Sequence, residues 1–115
     1  MATPLRVLFC IGRNQNFYDL PQGRIPEVGA GFAAFVAGLG GLDGVTVLGT
    51  LEDNQHMVGP SNSWPWTGYI LADVADQPTV ASACKLVETV QVGEHGLWRY
   101  ATIEARIGQP IDVPA

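Results

Sequence analysis

The segment Trp98–Ile107 reads WRYATIEARI and alternates between two kinds of side chain. One set is small and aliphatic, and the other is aromatic, polar or charged. The aliphatic set comprises Ala101, Ile103, Ala105 and Ile107, and the second comprises Trp98, Tyr100, Thr102, Glu104 and Arg106. Because successive residues of a β-strand point to opposite faces of a sheet, this pattern predicts a strand whose aliphatic face packs against helices.

Three strands and two helices are predicted before this last strand. Runs rich in β-branched and aromatic residues predict strands at 5–12, 45–52 and 66–74. Pro26 and Glu27 suit the first turn of a helix that ends at the glycines 40–41. Asp76 suits the N-cap of a second helix, which extends to Val90. The predicted order is therefore β-α-β-β-α-β.

That order predicts an α+β fold, the ferredoxin-like βαββαβ sandwich. Right-handed crossovers put both helices on one face of a four-stranded antiparallel sheet. At 115 residues the chain fits one domain, and we assign residues 1–115 to it, with a core at 5–107 and an extended C-terminal arm at 108–115.

The predicted sheet has a second face that no helix covers. Alternation places there the apolar side chains of Leu8, Leu48, Tyr69 and Leu71, beside Trp98 and Tyr100. Soluble proteins rarely leave so large an apolar patch exposed. A second copy packed sheet against sheet would bury it in a symmetric interface, so we predict a homodimer formed through the sheet face.

Composition limits the classes of partner and compartment. Hydrophobic residues make up 47% of the chain and charged residues 15%, against roughly 25% charged in an average soluble domain, which excludes intrinsic disorder. A net charge of −5 with a single lysine, Lys85, argues against nucleic-acid binding. No stretch is suited to a membrane span or a secretory signal, so we expect a cytoplasmic protein without a membrane partner. Cys10 and Cys84 are expected to be buried hydrophobes.

The predicted topology brings three connections to one end of the sheet. They are the loops after the first strand, between the second and third strands, and before the last strand. Polar groups beside aromatic side chains at one place are typical of a small-molecule pocket. His56 and His95 are the candidate catalytic residues because histidine titrates near neutral pH. The candidate substrate-binding residues are Asn14, Asn16, Tyr18, Trp64, Trp66, Trp98, Tyr100 and Glu104.

Each candidate also has a structural interpretation. A loop histidine is commonly a surface residue, and loop asparagines stabilise turns as readily as they bind ligand oxygens. The run Trp64–Trp66 forms either a stiff loop exit or a wall on which a planar ligand stacks. Glu104 either forms an ion pair with Arg106 or Arg6, or acts as a pocket acid.

Arg13 and Arg24 lie in the first loop, where either could pair with a ligand carboxylate. No glycine-rich phosphate loop, dinucleotide-binding fingerprint or zinc motif is present in the sequence. No spacing suits a metal site built from the two histidines. We therefore predict no cofactor and no metal.

The element order and length resemble the dimeric α+β barrel superfamily, which includes muconolactone isomerases, EthD-like proteins and cofactor-free monooxygenases. More closely, the chain resembles the small IacB-type proteins of bacterial indole-3-acetate degradation clusters. That resemblance is carried by residues 5–12 and 14–17, 47–51 and 55–60, and 64–66 and 69–73.

The resemblance implies a role in indole-3-acetate catabolism. We expect a small-molecule-binding protein, or a cofactor-independent enzyme of the isomerase or proton-transfer type, acting on an aromatic acid intermediate. The alternative is a non-catalytic carrier or an accessory subunit of an aromatic-degradation oxygenase pathway.

Overall fold

The computed structural model describes residues 3–60 and 65–114. It has a mixed α+β architecture with a four-stranded antiparallel sheet, which confirms the predicted class. Short 3₁₀ turns cover Gln22–Arg24 and Leu97–Arg99. The strands are β1 (Leu5–Arg13), β2 (Val45–Glu52), β3 (Gly68–Val74), β4 (Gln91–Val92), β5 (His95–Gly96) and β6 (Ala101–Gly108), and the helices are α1 (Gln15–Tyr18), α2 (Ile25–Gly40) and α3 (Gln77–Thr89).

The four long strands are ordered β2-β3-β1-β6, and every neighbouring pair is antiparallel. The strand β1 therefore lies inside the sheet, where Leu8 pairs with Leu71 on one side and Arg106 on the other. Two strands begin later than predicted, β3 at Gly68 and β6 at Ala101. The short strands β4 and β5 pair in a hairpin within the connection that precedes the last long strand.

The core lies between the helices and one face of the sheet. Val7 and Phe9 of β1 are completely buried, as are Phe35 and Leu39 of α2. Burying each such side chain contributes roughly 1.5–3 kcal/mol. The predicted aliphatic face of the last strand is confirmed, because Ala101, Ile103 and Ala105 belong to or pack against this core, while Ile107 at the strand end is 45% exposed.

We call the opposite face of the sheet the outer face. By strand register it comprises Arg6, Leu8 and Cys10 of β1, Thr46, Gly49 and Leu51 of β2, Tyr69, Leu71 and Asp73 of β3, and Thr102, Glu104 and Arg106 of β6. The prediction is thus confirmed for Leu8, Tyr69 and Leu71.

The prediction of the outer face is wrong for Tyr100, and two further residues predicted there, Leu48 and Trp98, lie outside the regular strand pairing. A bulge between Val47 and Gly49 takes Leu48 out of the alternation, and Leu51 instead pairs with Tyr69. Tyr100 is 3% exposed and belongs to the hydrophobic core. It lies in the connection that precedes β6, as does Trp98, so strand alternation does not apply to either residue.

The strand ends confirm that the three long connections meet at one end of the sheet. Ile11 and Glu52 both pair opposite Gly68, the first residue of β3, and Arg13 pairs opposite Ala101, the first residue of β6. We call this the loop-rich end. Within the described residues, no helix combines the length and apolar character needed to cross a membrane.

Two glycines of α2 have opposite surroundings, which makes them a matched pair for testing the packing. A Cβ added at Gly31 would lie 2.6 Å from Val92 Cγ2 in the buried hairpin, whereas one added at Gly29 would meet nothing within 4 Å. Gly29→Ala should stabilise the fold by about 1 kcal/mol through helix propensity. Gly31→Ala should be destabilising, because overpacking costs roughly 1–3 kcal/mol. Urea unfolding of both variants tests this, and equal stability of the two would contradict the packing described.

The N-cap of α3 gives a pH-dependent contribution to stability. Asp76 Oδ1 accepts hydrogen bonds from Thr79 Oγ1 at 2.6 Å and from Thr79 N at 2.9 Å. These bonds, the side-chain one foremost, lower the pKa of Asp76. The ionised cap therefore stabilises the fold above the unfolded-state pKa, and that stabilisation is lost as the pH falls through the lower folded-state pKa.

Asp76→Ala should lower the urea midpoint at neutral pH, whereas Asp76→Asn keeps an acceptor and should lower it less. On acidification the wild type should lose stability relative to Asp76→Asn. Parallel pH profiles of the two proteins would show that the cap does not depend on ionisation.

Candidate functional site

A cavity of about 620 Å³ lies between α2 and the loop-rich end of the sheet. Its volume falls within the roughly 300–1,000 Å³ typical of ligand sites. The sheet contributes Ile11, Arg13, Thr50, Leu51, Glu52, Gly68, Tyr69 and Ile70, with Thr67 just before β3, and the helix contributes Gly29, Phe32, Ala33, Val36 and Ala37. Because most of this lining is apolar, the cavity suits a ligand with a hydrophobic body.

The sequence of α2 explains why this space is not filled. Gly29, Ala33 and Ala37 are spaced four residues apart, so they lie on one side of the helix. Such short side chains leave room between the helix and the sheet, and Phe32 and Val36 line the remaining wall. The sequence analysis did not predict this cavity, for which the four-residue spacing of small side chains is the available signal.

Arg13 and Glu52 supply the charged groups of the cavity lining. The Arg13 Cζ atom lies 4.9 Å from the centre of the Phe17 ring, a cation–π contact. Within the described part of the chain Arg13 makes no ion pair. Three other arginines are paired, namely Arg6 with Asp73, Arg24 with Glu27 and Arg106 with Glu104. Arg13 is therefore available to bind an anionic group of a ligand.

The two histidines lie outside the lining of this cavity. His56 is exposed in the connection between β2 and β3, and His95 is partly buried in β5. Neither imidazole side chain forms an ion pair or hydrogen bond with the residues that the structure describes. No group of three histidine, cysteine or acidic side chains among those residues could hold a metal ion. A catalytic role for either histidine stays a prediction.

The two asparagines of the first loop make structural hydrogen bonds. Asn14 Nδ2 and Asn16 Nδ2 both donate to the carbonyl oxygen of Arg99, at 2.9 and 3.0 Å. Asn14 Oδ1 also accepts from Phe17 N at 3.3 Å and caps α1. These bonds tie the first loop to the turn before β6, which favours the structural interpretation of both residues. Tyr18 is 58% exposed and contacts the Phe17 ring edge to face.

Trp66 and Trp98 do not line the cavity either. Trp64 lies outside the described residues. Trp66 packs against Gly12, where an added Cβ would lie 3.3 Å from Trp66 Cε3 and would clash with Pro65 O. Trp98 is 55% exposed and lies against Gly96, whose added Cβ would be 2.6 Å from Trp98 Cδ1. Both glycines therefore permit close approach of an indole ring.

Glu104 lies on the outer face, opposite Cys10. Arg106 Nη2 is 2.7 Å from Glu104 Oε2, so the predicted ion pair with Arg106 is present, while Arg6 pairs with Asp73 instead. The approach lacks hydrogen-bond geometry, and the buried Oε2 accepts no hydrogen bond from a described residue.

Burial, with the nearby Glu104 carboxylate, raises the pKa of Cys10, and burial raises the pKa of Cys84. Both thiols are therefore poor nucleophiles.

Comparison of this chain with known protein families, curated proteins and solved structures finds no match.

Proposed function

We propose that this protein binds a small aromatic carboxylic acid in the cavity beneath α2. The observation that carries the proposal is the position of Arg13, a cation without an ion pair in the described structure, in the lining of an apolar cavity. A guanidinium matches a carboxylate with two parallel hydrogen bonds. The apolar walls between α2 and the sheet would take the aromatic ring.

The negative net charge of the chain favours this cavity as the place where an anionic ligand binds. The protein carries a net charge of −5, which disfavours anions over most of its surface. The cation–π contact with Phe17 holds the Arg13 guanidinium at the end of β1. An anionic ligand would therefore find its counter-charge at this cavity, next to the surface that buries its ring.

The resemblance to the IacB-type proteins of indole-3-acetate degradation clusters supports an indole-derived acid as the ligand. On that basis we propose that the protein acts in indole-3-acetate catabolism in the cytoplasm. This assignment rests on the sequence resemblance, and the cavity supports it by its size and by its single cation.

Binding without histidine-assisted proton transfer is the form of this function that the cavity favours. Its lining contains one acid, Glu52, and no histidine. A proton-transfer enzyme needs a titrating group within hydrogen-bond reach of its substrate. A carrier or accessory subunit of an oxygenase pathway needs only the cavity. If His56 or His95 acts instead as the acid or base, purified protein should turn over the ligand.

We further propose a ferredoxin-like fold that dimerises through the outer face as an α+β barrel. The strand order supports the fold, because β3 lies between β1 and β2 and β1 lies between β3 and β6. Each βαβ unit thus leaves space for one strand of the other unit, as a split βαβ arrangement requires. A shallow apolar hollow on the outer face, lined by Leu8, Leu51, Tyr69 and Leu71 among others, gives a second copy a surface to bury.

Charge also favours a second copy at this face. The outer face carries Arg6 and Arg106 against Asp73 and Glu104, so it is neutral in a chain of net charge −5. Two copies would therefore repel each other least when these faces meet. In a two-fold interface, an ion pair of one copy can lie beside an ion pair of the other.

Arg13→Gln tests the binding site, with indole-3-acetate as the probe and titration calorimetry as the measurement. Loss of a charge-assisted hydrogen bond costs about 1.5–3 kcal/mol, so affinity should fall roughly 10–100-fold. Arg99→Gln makes the same charge change outside the cavity and should leave affinity unchanged. Failure of the wild type to bind, or equal losses in both variants, would contradict the proposal.

Sedimentation at micromolar concentration tests the dimer. The wild type should sediment at twice the chain mass of 12.3 kDa. Arg106→Glu makes the outer face acidic and should shift the protein to monomer, while the matched variant Arg99→Glu should remain dimeric. A monomeric wild type would contradict the proposed dimer, while the proposed binding site would still stand.

A further inference from the structure

Two opposite charges line the same cavity without pairing. Arg13 ends β1 and Glu52 ends β2, and β3 separates these strands. Their Cα atoms are about 12 Å apart, because β1 and β2 are separated by two strand spacings and Arg13 lies two residues beyond the row that contains Glu52. Within the described structure Glu52 forms no ion pair or hydrogen bond through its side chain. Where opposite charges lie on adjacent strands of this sheet they do pair, as Arg6 and Asp73 do at 2.7 Å.

Strand register directs both side chains toward the cavity. Ile11, Gly68 and Glu52 lie in one row across the sheet, and Ile11 belongs to the core on the helix side. Glu52 shares that side because directly paired residues lie on one face. Arg13 shares it because residues two apart on a strand do. The cavity therefore presents a cation and an anion to the same ligand from two different strands.

We propose that Glu52 is a specificity-determining residue, which accepts a hydrogen bond from an N–H group of the ligand whose carboxylate Arg13 binds. The inference rests on the proposed function and narrows its ligand class. The ligand is an aromatic carboxylate whose ring bears an N–H donor at the end away from the acid.

The chemistry of the two groups sets this division of roles. An ionised glutamate only accepts hydrogen bonds, and an arginine only donates them. A ligand with one acceptor end and one donor end is therefore held in a single orientation. A ring without a donor would displace water from the Glu52 carboxylate. The carboxylate would then lose its hydrogen bonds to water and gain none from the ligand. A ligand with a second carboxylate would be repelled by the same group.

The test compares indole-3-acetate with benzofuran-3-acetate. The two probes share a carboxylate and a bicyclic ring of the same size, and they differ in the replacement of the ring N–H by oxygen. By titration calorimetry, the wild type should bind the indole probe about tenfold more tightly, the effect of one hydrogen bond to a charged group. Glu52→Met keeps the side-chain length, removes the acceptor and should bring the two affinities together.

Glu94→Met supplies the matched control, because Glu94 is an exposed acid in the turn between β4 and β5 and lies outside the cavity lining. It should retain the tenfold preference. Equal binding of both probes by the wild type, with no effect of Glu52→Met, would overturn the role of Glu52 and leave the carboxylate site standing. Binding of neither probe would overturn the proposed function and this inference together. Circular dichroism of each variant confirms that it is folded.

Discussion

The helix-side face of β1 is the constraint on which the other features of this structure depend. Val7 and Phe9 are fully buried and Ile11 is nearly so, while the backbone of β1 pairs with a strand on each side. The helices α2 and α3 must pack over these residues to remove them from water. Once they do so, the opposite face of the same strand is covered by no helix of the described structure. The buried core and the outer face without a helix are therefore two consequences of the central position of β1 in the sheet.

The cavity arises where that packing is incomplete. Phe35 and Leu39 of α2 fill the core, but Gly29, Ala33 and Ala37 have too little volume to close the space over the strand ends. A helix that carried large residues at these positions would bury more apolar surface and gain stability. With the small residues the fold buries less apolar surface and is less stable, but it keeps a concave apolar surface beside Arg13 and Glu52.

Features that depend on near neighbours follow from the sequence, and features that depend on distant ones do not. The first turn of α2 at Pro26, the cap at Asp76 and the alternation of 101–107 were predicted correctly because each depends on neighbours within a few residues. Tyr100 was placed incorrectly because the preceding 3₁₀ turn interrupts the strand. The bond partners of Asn14 and Asn16 lie 85 and 83 residues away, a distance at which residue type indicates only that an amide needs partners.

The sequence by itself determined the mixed α+β class, the order of the long elements and the end of the sheet where the loops meet, because alternation, caps and chain direction are properties of short segments. It also predicted that Arg13 or Arg24 pairs with a ligand carboxylate, which stays a prediction. Only the tertiary structure decided that Arg13 shares a cavity with Glu52 and that the candidate histidines lie outside it. The reason is physical: the width of the gap between α2 and the sheet depends on side chains from separate elements packing together, and no single segment encodes that distance.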